Sequence, residues 1–293
     1  MLLHGGATGP VLLAWAFEPY LIFLLVFAAG LYWLALRAIR KRAQRTVPRE
    51  YPVFFYAGLA AFAVAVGGPV ETYNENSLAL HMGQHVIMML IAAPLIVLGR
   101  PLHIALWALR PRQSGTVLKP VLRRGWVRGF LTGLTHPFTV VLLLNVNLVA
   151  WHVPALYVAA LEHWWIHELE HVLFFGTAAL FWWVIVDPIP RHHRVRVDIA
   201  ILLLFVSGSV GDLLALYLIF APDVIYSYYL VNETVWGLSQ IADQRFAGLV
   251  MLVTGSVVYF GATFLLIARN YGDTTQQATA QTTASQPGQL RAD

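Results

Sequence analysis

Seven apolar segments, each near the length of a bilayer-spanning helix, constrain this chain more than any other feature. An α-helix rises about 1.5 Å per residue, so roughly 20 apolar residues cross the hydrocarbon core. Hydrophobic residues make up 58% of the sequence and charged residues only 12%. The pattern predicts an all-α polytopic membrane protein with seven transmembrane helices. The segments are approximately Val11–Leu36, Tyr51–Val70, Leu78–Leu98, Pro137–Val153, Trp164–Val186, Val197–Phe220 and Gln244–Ala268.

The segments predict one transmembrane domain over residues 1–270, followed by a tail. We expect the first segment to be a retained signal anchor, because it is long and lacks a small-residue cleavage site. Residues 271–293 are rich in Thr, Gln, Ala and Ser and have nothing to bury, so they are expected to form a disordered cytoplasmic tail. Leu102–Leu109, between Arg100 and Arg110, is expected to form a short helix at the membrane interface.

The positions of Lys and Arg predict the orientation. Eighteen of the nineteen basic residues fall in the loops after segments one, three and five or after segment seven, and the exception is Arg245. Short loops rich in Lys and Arg stay in the cytoplasm. We therefore expect the N-terminus outside and the C-terminus in the cytoplasm. The net charge of +4 then reflects topology, and nucleic acid is not an expected partner.

With this topology, polar side chains collect near the outer ends of four helices. Ionisable residues are costly inside a membrane and often mark functional sites. Neutral imidazoles suit transition metals, and histidine pairs at i, i+4 can present two nitrogens to one ion. The distance from His163 to His171, about 12 Å along a helix axis, is too long for one ion. Two ions, one site with a relay, or a hydrogen-bonded network that locks the helices all remain open. The layer contains His81, His85, His152, His163, His167, His171 and Asp243.

The absence of cysteine limits the metal ligands to His, Met, Asp and Glu. Met82 offers a thioether suited to Cu(I), although a single Met commonly packs in the core. Asp212 lies in the middle of segment six, where a polar partner, proton transfer or cation binding would each explain it. His4 lies in the outer N-terminal stretch, where a flexible ligand is one reading. The remaining histidines are expected to be solvated or interfacial: His103, His136, His192 and His193.

Two other functions fit parts of the pattern. His167-Glu168-Leu-Glu170-His171 matches the His-Glu-x-x-His signature of zinc peptidases, in which the first glutamate activates water. An intramembrane zinc metalloprotease would take Asp243 or His152 as its third ligand, and it would leave the two histidines of segment three unused. A haem held by two histidines between helices is the other alternative, with His85 and His171 as the pair.

Several motifs also follow one another in a fixed order. They are His81-Met-Gly-Gln-His85, Ala93 to Leu102, Thr135-His-Pro137, Trp151 to Tyr157, His163, His167 with Leu169-Glu-His171, Phe181-Trp-Trp183, Trp236 to Ser239, and Asp243 to Leu249 with Met251. From about Tyr73 to Ala268 the chain resembles the CtaG-type cytochrome c oxidase assembly factors. These are bacterial inner-membrane proteins with seven predicted helices, associated with copper insertion into the oxidase. Glu170 belongs to the family pattern, whereas Glu168 and Asp212 do not.

The resemblance implies an assembly factor, not an enzyme, in the bacterial inner (plasma) membrane. It would bind copper at the outer-face histidine cluster and help install it in the oxidase catalytic subunit, with zinc as the alternative metal. The implied partners are the lipid bilayer, oxidase subunits and a periplasmic copper donor, and a homodimer is left open. The implied ligands are His81, His85, His152, His167 and His171, with His163 where the metal enters. Glu170 and Asp243 would hydrogen-bond imidazole N–H groups, with Met82 beside them.

Overall fold

The computed structural model of the chain is helical, and the residues that it describes contain no strand. It describes residues 15, 18–41, 46–109, 120, 123–186, 195–231 and 235–284, with side chains up to residue 270. His4, His192 and His193 lie outside the described residues, as does the end of the tail.

Six helical stretches are long and apolar enough to cross a membrane, and a bent pair of helices adds a seventh if it is one span. The chain is therefore a multi-pass membrane protein. Its elements are α1 (Pro19–Lys41), α2 (Glu50–Gly67), α3 (Pro69–Thr72), α4 (Leu78–Val86), a π-helical turn (Ile87–Ala92), α5 (Ala93–Leu98), α6 (Pro101–Ala108), α7 (Gly125–Leu134), α8 (Pro137–Trp151), α9 (Pro154–Glu162), α10 (Trp164–Val186), α11 (Val197–Phe220), a 3₁₀ turn (Ser227–Leu230) and α12 (Gln240–Ala284).

The predicted segment boundaries match the observed helix ends best where polar residues flank the apolar run. The predicted fifth and sixth segments coincide with α10 and α11. The first described helix begins at Pro19, and Val11, where the predicted first segment begins, lies outside the described residues. Proline suits a first helical position because the N–H that it lacks would have no partner within the helix there. The last helix begins at Gln240, because the Ser239 hydroxyl accepts the N–H of Ala242 at 3.3 Å and caps it.

The fourth span is bent where the sequence predicts a helix start. Pro137 opens α8, and α7 precedes it at an angle of 61°. A proline disfavours the helical conformation of the residue before it, and His136 has an extended backbone with ψ of 133°. The predicted fourth segment was thus only the second half of this bent pair.

The short helix expected over Leu102–Leu109 is present as α6, and it packs on the protein. Arg100 adopts a left-handed backbone (φ 52°) that turns the chain before α6. Ile104 is fully buried in a cluster with Tyr32, Leu36 and Phe55, which belong to α1 and α2. At the other end of the chain, helical backbone continues through Ala284. The predicted disorder of the tail stays a prediction.

The centre of the bundle joins the third span to α10. The π-helical turn adds a residue to the helical repeat, so backbone carbonyls there need other donors. The indole N–H of Trp182 in α10 donates to the carbonyl oxygen of Met89 at 3.0 Å. Close contact also joins α11 and α12, since a Cβ on Gly248 would lie 2.6 Å from the oxygen of Ala215. The third span is thus bonded to α10, and α11 packs closely on α12.

Candidate metal centre

Four side chains from α4 and α10 converge on one point inside the bundle. His81, His85, His167 and Glu170 each offer a ligand atom, and these atoms lie within 4.8 Å of one another. Nε2 of His81 is 4.0 Å from Oε2 of Glu170, and Nδ1 of His85 is 3.8 Å from Oε1 of Glu170. Ligand atoms bonded to one metal at about 2 Å lie roughly 3–4 Å apart, so small movements would close this set around an ion. We refer to these four residues as the His/Glu group.

The helical repeat explains why each helix contributes two members. His81 and His85 are four residues apart on α4, and their ring centroids are 4.5 Å apart. His167 and Glu170 are three residues apart on α10, which places both on one face. The ring of His167 lies 5.3 Å from that of His81, across the helix interface. Two local spacings and one helix contact therefore build the group.

Burial without hydrogen bonds distinguishes this site from the rest of the described structure. His81, His85 and Glu170 are exposed by 0%, 5% and 1%. Of nine buried side-chain nitrogen and oxygen atoms that have no hydrogen-bond partner among the described residues, eight belong to this layer. Leaving such atoms unpaired is costly, most of all for a carboxylate, and a bound cation would satisfy them. The residues that bear these eight unpaired atoms are His81, His85, His152, His167, Glu170 and His171.

His171 lies next to the His/Glu group, and His152 lines the same cavity as His85. The ring of His171 is 4.1 Å from that of His167 and 5.5 Å from that of His85. His152 follows the last residue of α8, and its Nδ1 is 2.8 Å from the carbonyl oxygen of Leu148. That nitrogen therefore carries the proton, and Nε2, which is buried and unpaired, holds the lone pair that a metal needs.

His163 and Met82 do not belong to the His/Glu group. His163 follows the last residue of α9, and its side chain is exposed. Met82 is 2% exposed and packs in a cluster that includes Tyr157 and Tyr226. The predicted role of His163 as the point of metal entrance stays a prediction, as does the role of Met82.

Asp243 differs from its expected role as a partner of an imidazole. Its Oδ1 accepts the hydroxyl of Ser77 at 2.7 Å, and its Oδ2 accepts the backbone N–H of Leu78 at 2.7 Å. Asp243 lies one turn into α12, next to the start of α4, and a carboxylate there satisfies free N–H groups and the helix dipole. The side-chain amide of Gln84 in α4 donates to the carboxylate of Glu71 in α3. Both contacts fix the helix that bears His81 and His85.

A chain of tyrosines behind His81 was not predicted. The ring of Tyr157 in α9 is 5.0 Å from that of His81. The hydroxyls of Tyr157 and Tyr229 are 3.0 Å apart, and Tyr229 donates to the backbone oxygen of Asn74 at 2.9 Å. Residue spacing cannot reveal such contacts, because these residues lie in separate elements. The only signal was that Tyr157 ends the motif that begins at Trp151.

Glu168 is turned away from the group, which argues against the peptidase alternative. The hydroxyl of Tyr20 in α1 donates to Oε1 of Glu168 at 2.5 Å. A zinc peptidase needs this glutamate beside the metal-bound water. Glu170 has its oxygens beside the imidazoles instead.

The space near the histidines also argues against haem. The cavity that His85 borders has a volume of about 60 Å³. Pockets for organic ligands usually measure roughly 300–1,000 Å³. The ring of Phe174 lies 4.7 Å from that of His85 and fills the adjoining space.

Curated relatives from mycobacteria match most of the chain. An uncharacterized protein of Mycobacterium bovis is 26% identical over 249 residues, which cover 81% of this chain and 36% of the relative. An uncharacterized protein of Mycobacterium leprae is 25% identical over 243 residues, which cover 80% of this chain and 36% of the relative. The chain thus spans 36% of the length of these relatives. No solved structure matches the chain.

The family described as cytochrome c oxidase caa3 assembly factor (Caa3_CtaG) matches residues 30–272. The matched region contains all four members of the His/Glu group and both helices that bear them. It also includes α12, whose Asp243 anchors α4. The chain therefore belongs to the family of cytochrome c oxidase caa3 assembly factors.

Proposed function

We propose that this protein holds copper on the His/Glu group and helps to install it in the catalytic subunit of cytochrome c oxidase. The observation that carries the proposal is the convergence of three imidazoles and a carboxylate within 4.8 Å, with His167 half-buried and the other three residues buried. Their unpaired atoms need a cation, and the family assembles an oxidase. The role requires binding and release of a metal and no catalysed reaction.

The donor set favours copper, with zinc as the competing metal. Imidazole nitrogen suits both ions, and among divalent first-row metals a given site of this type usually binds Cu(II) most tightly. The chain has no cysteine, so thiolates do not take part. His171 and His152 each have a buried unpaired Nε2, and in the proposed function they receive the ion that leaves the group.

The proposed place of action is the outer face of the bacterial inner membrane. The group lies near the first residues of α4 and α10, and the predicted topology places these helix ends outside. Copper would arrive from a periplasmic donor, with His163 at the entrance, and leave to oxidase subunits. Binding near the outer surface spares the ion from crossing the membrane.

Metal analysis of the purified full chain tests the proposal. Copper bound per chain is measured after free metal is removed, for the wild type, His167→Ala and the matched control His136→Ala. His136 is exposed and lies near the bend of the fourth span, far from the group in the sequence. We expect the control to bind like the wild type, and His167→Ala to lose at least about tenfold in affinity.

Cells grown on limiting copper supply the second readout. His167→Ala should lower oxidase activity there, and added copper should restore part of it. Equal copper binding by His167→Ala and the wild type would overturn the assignment of the His/Glu group. Normal oxidase activity in cells that lack the protein would overturn the assembly role.

A further inference from the structure

A small cavity is lined by His85 of the third span and by Asp212 of α11. Its volume is about 60 Å³, enough for one ion or a few water molecules. Three of the five methionines in the sequence line it, and they come from two different spans. The side chains that matter are Met82, Met89, Met251, His85, His152 and Asp212.

The donors around this cavity differ in kind from those of the His/Glu group. Thioethers are soft ligands, and with imidazole they suit a soft monovalent cation such as Cu(I). The third span provides Met82 and Met89, and α12 provides Met251. Met82 and Met89 are seven residues apart, about 10 Å along a helix axis, so one ion takes only one of them together with Met251. His152 adds a buried Nε2 with no hydrogen-bond partner. That unpaired nitrogen is independent evidence that the cavity binds a cation.

Asp212 supplies the matching charge. A single positive charge inside the membrane is costly unless a negative charge accompanies it. Asp212 lines the same cavity in the middle of α11, and no hydrogen bond of its carboxylate appears in the described structure. One carboxylate and one monovalent cation make the cavity neutral. This also gives a reason for an acidic residue in an otherwise apolar span.

We propose that this cavity is a second metal site, separate from the His/Glu group and selective for Cu(I). His85 borders both sites, so an ion can move between them without leaving the protein. The site shares only His85 with the His/Glu group. It requires no metal on that group and involves no change of oxidation state. It makes the protein a carrier with two positions of different chemistry.

Silver(I) is the probe, because it is soft, monovalent and does not change oxidation state under these conditions. The full chain is purified in detergent and loaded with Ag(I) in chloride-free buffer, and its silver X-ray absorption spectrum is recorded. The chain has no cysteine, so any sulfur bonded to silver must belong to methionine. We expect sulfur neighbours in the wild type. Their absence from the wild type would overturn the proposal without any variant.

The variant that tests the residues is M82L/M89L/M251L. Leucine nearly preserves the volume of methionine and cannot bind metal, so folding should survive. The matched control is Met88→Leu, because Met88 is fully buried beside Met89 but does not line the cavity. We expect the triple variant to lose one silver equivalent and the sulfur signal, and the control to keep both. Retention of the sulfur signal by the triple variant would overturn the proposal.

Two further variants separate this site from the His/Glu group. Asp212→Asn keeps the shape of the side chain but removes its charge, and we expect about 10–100-fold weaker Ag(I) binding. Unchanged binding would contradict the role of Asp212. His167 does not line the cavity, so His167→Ala should keep the sulfur signal while it loses Cu(II) or Zn(II). Met251→Leu alone should weaken Ag(I) binding, which keeps the test valid if the triple variant misfolds.

Discussion

Nδ1 of His85 lies 3.8 Å from Oε1 of Glu170, which joins the third span to the fifth inside the membrane domain. His85 is seven residues after the first residue of α4, and Glu170 is six after that of α10. The two helices therefore enter the bundle at the same end and reach the site at the same depth. Any topology of the chain must keep both helix starts on one side.

Fusion reporters test which side that is. The distribution of basic residues places a reporter fused after Arg42 or Asp187 in the cytoplasm, and one fused after Asn74 or Asp223 outside. Paired reporters that are active on opposite sides of the membrane measure this. A cytoplasmic signal after Asn74 would place the His/Glu group at the cytoplasmic face and remove the proposed route from a periplasmic donor.

The anchor between Asp243 and the start of α4 should contribute to stability. Asp243→Asn keeps the size of the side chain but weakens two charge-assisted hydrogen bonds, at a cost of about 1–3 kcal/mol. Its matched control is Asp223→Asn, because Asp223 is exposed and precedes α12. Thermal unfolding in detergent, followed by tryptophan fluorescence, should show a lower Tm for Asp243→Asn alone. Equal Tm values would mean that α4 is held by packing.

How far the sequence predicts this site depends on the kind of contact. Spacing within a helix identifies His81 with His85, and His167 with Glu170, because the helical repeat directs each pair to one face. Both pairs lie at a similar depth in their spans, which indicates that the polar side chains of the two helices meet. The sequence did not reveal that Glu170 offers a ligand atom itself, since its predicted role was to orient an imidazole.

Other contacts between separate elements have no signal in the sequence. The bonds of Asp243 to Ser77 and Leu78, and the contact of Tyr157 with His81, depend on how distant helices pack. The bend at Pro137 was also missed, because α7 is too short to be recognised as half of a span. Long apolar runs were predictable because the bilayer sets their length. No comparable rule sets which side chains meet across two helices.

His171 and His163 should differ in their effect on copper. His171→Ala removes a buried imidazole next to His167, so the amount of copper retained at equilibrium should fall. His163→Ala removes an exposed side chain, so retained copper should stay the same while the rate of loading decreases. Stopped-flow loading with elemental analysis of the end point measures both. A lower end point for His163→Ala would make His163 a ligand and not an entrance.

The neighbouring glutamates of α10 separate copper handling from proteolysis. A zinc peptidase would need Glu168 as the general base, and its loss would lower activity by about 10²–10⁴-fold. Glu168 instead bonds to Tyr20, whereas both oxygens of Glu170 are buried beside imidazoles. We therefore expect Glu168→Gln to bind copper normally and to support oxidase activity on limiting copper.

Glu170→Gln is the matched variant, since it makes the same chemical change two residues away. It should weaken copper binding by about 10–100-fold, because the only carboxylate of the His/Glu group is lost. Oxidase activity on limiting copper should fall with it, and excess copper should restore part of the activity. Loss of function in Glu168→Gln together with full function in Glu170→Gln would reverse the assignment, because only a peptidase depends on the first glutamate and not on the second.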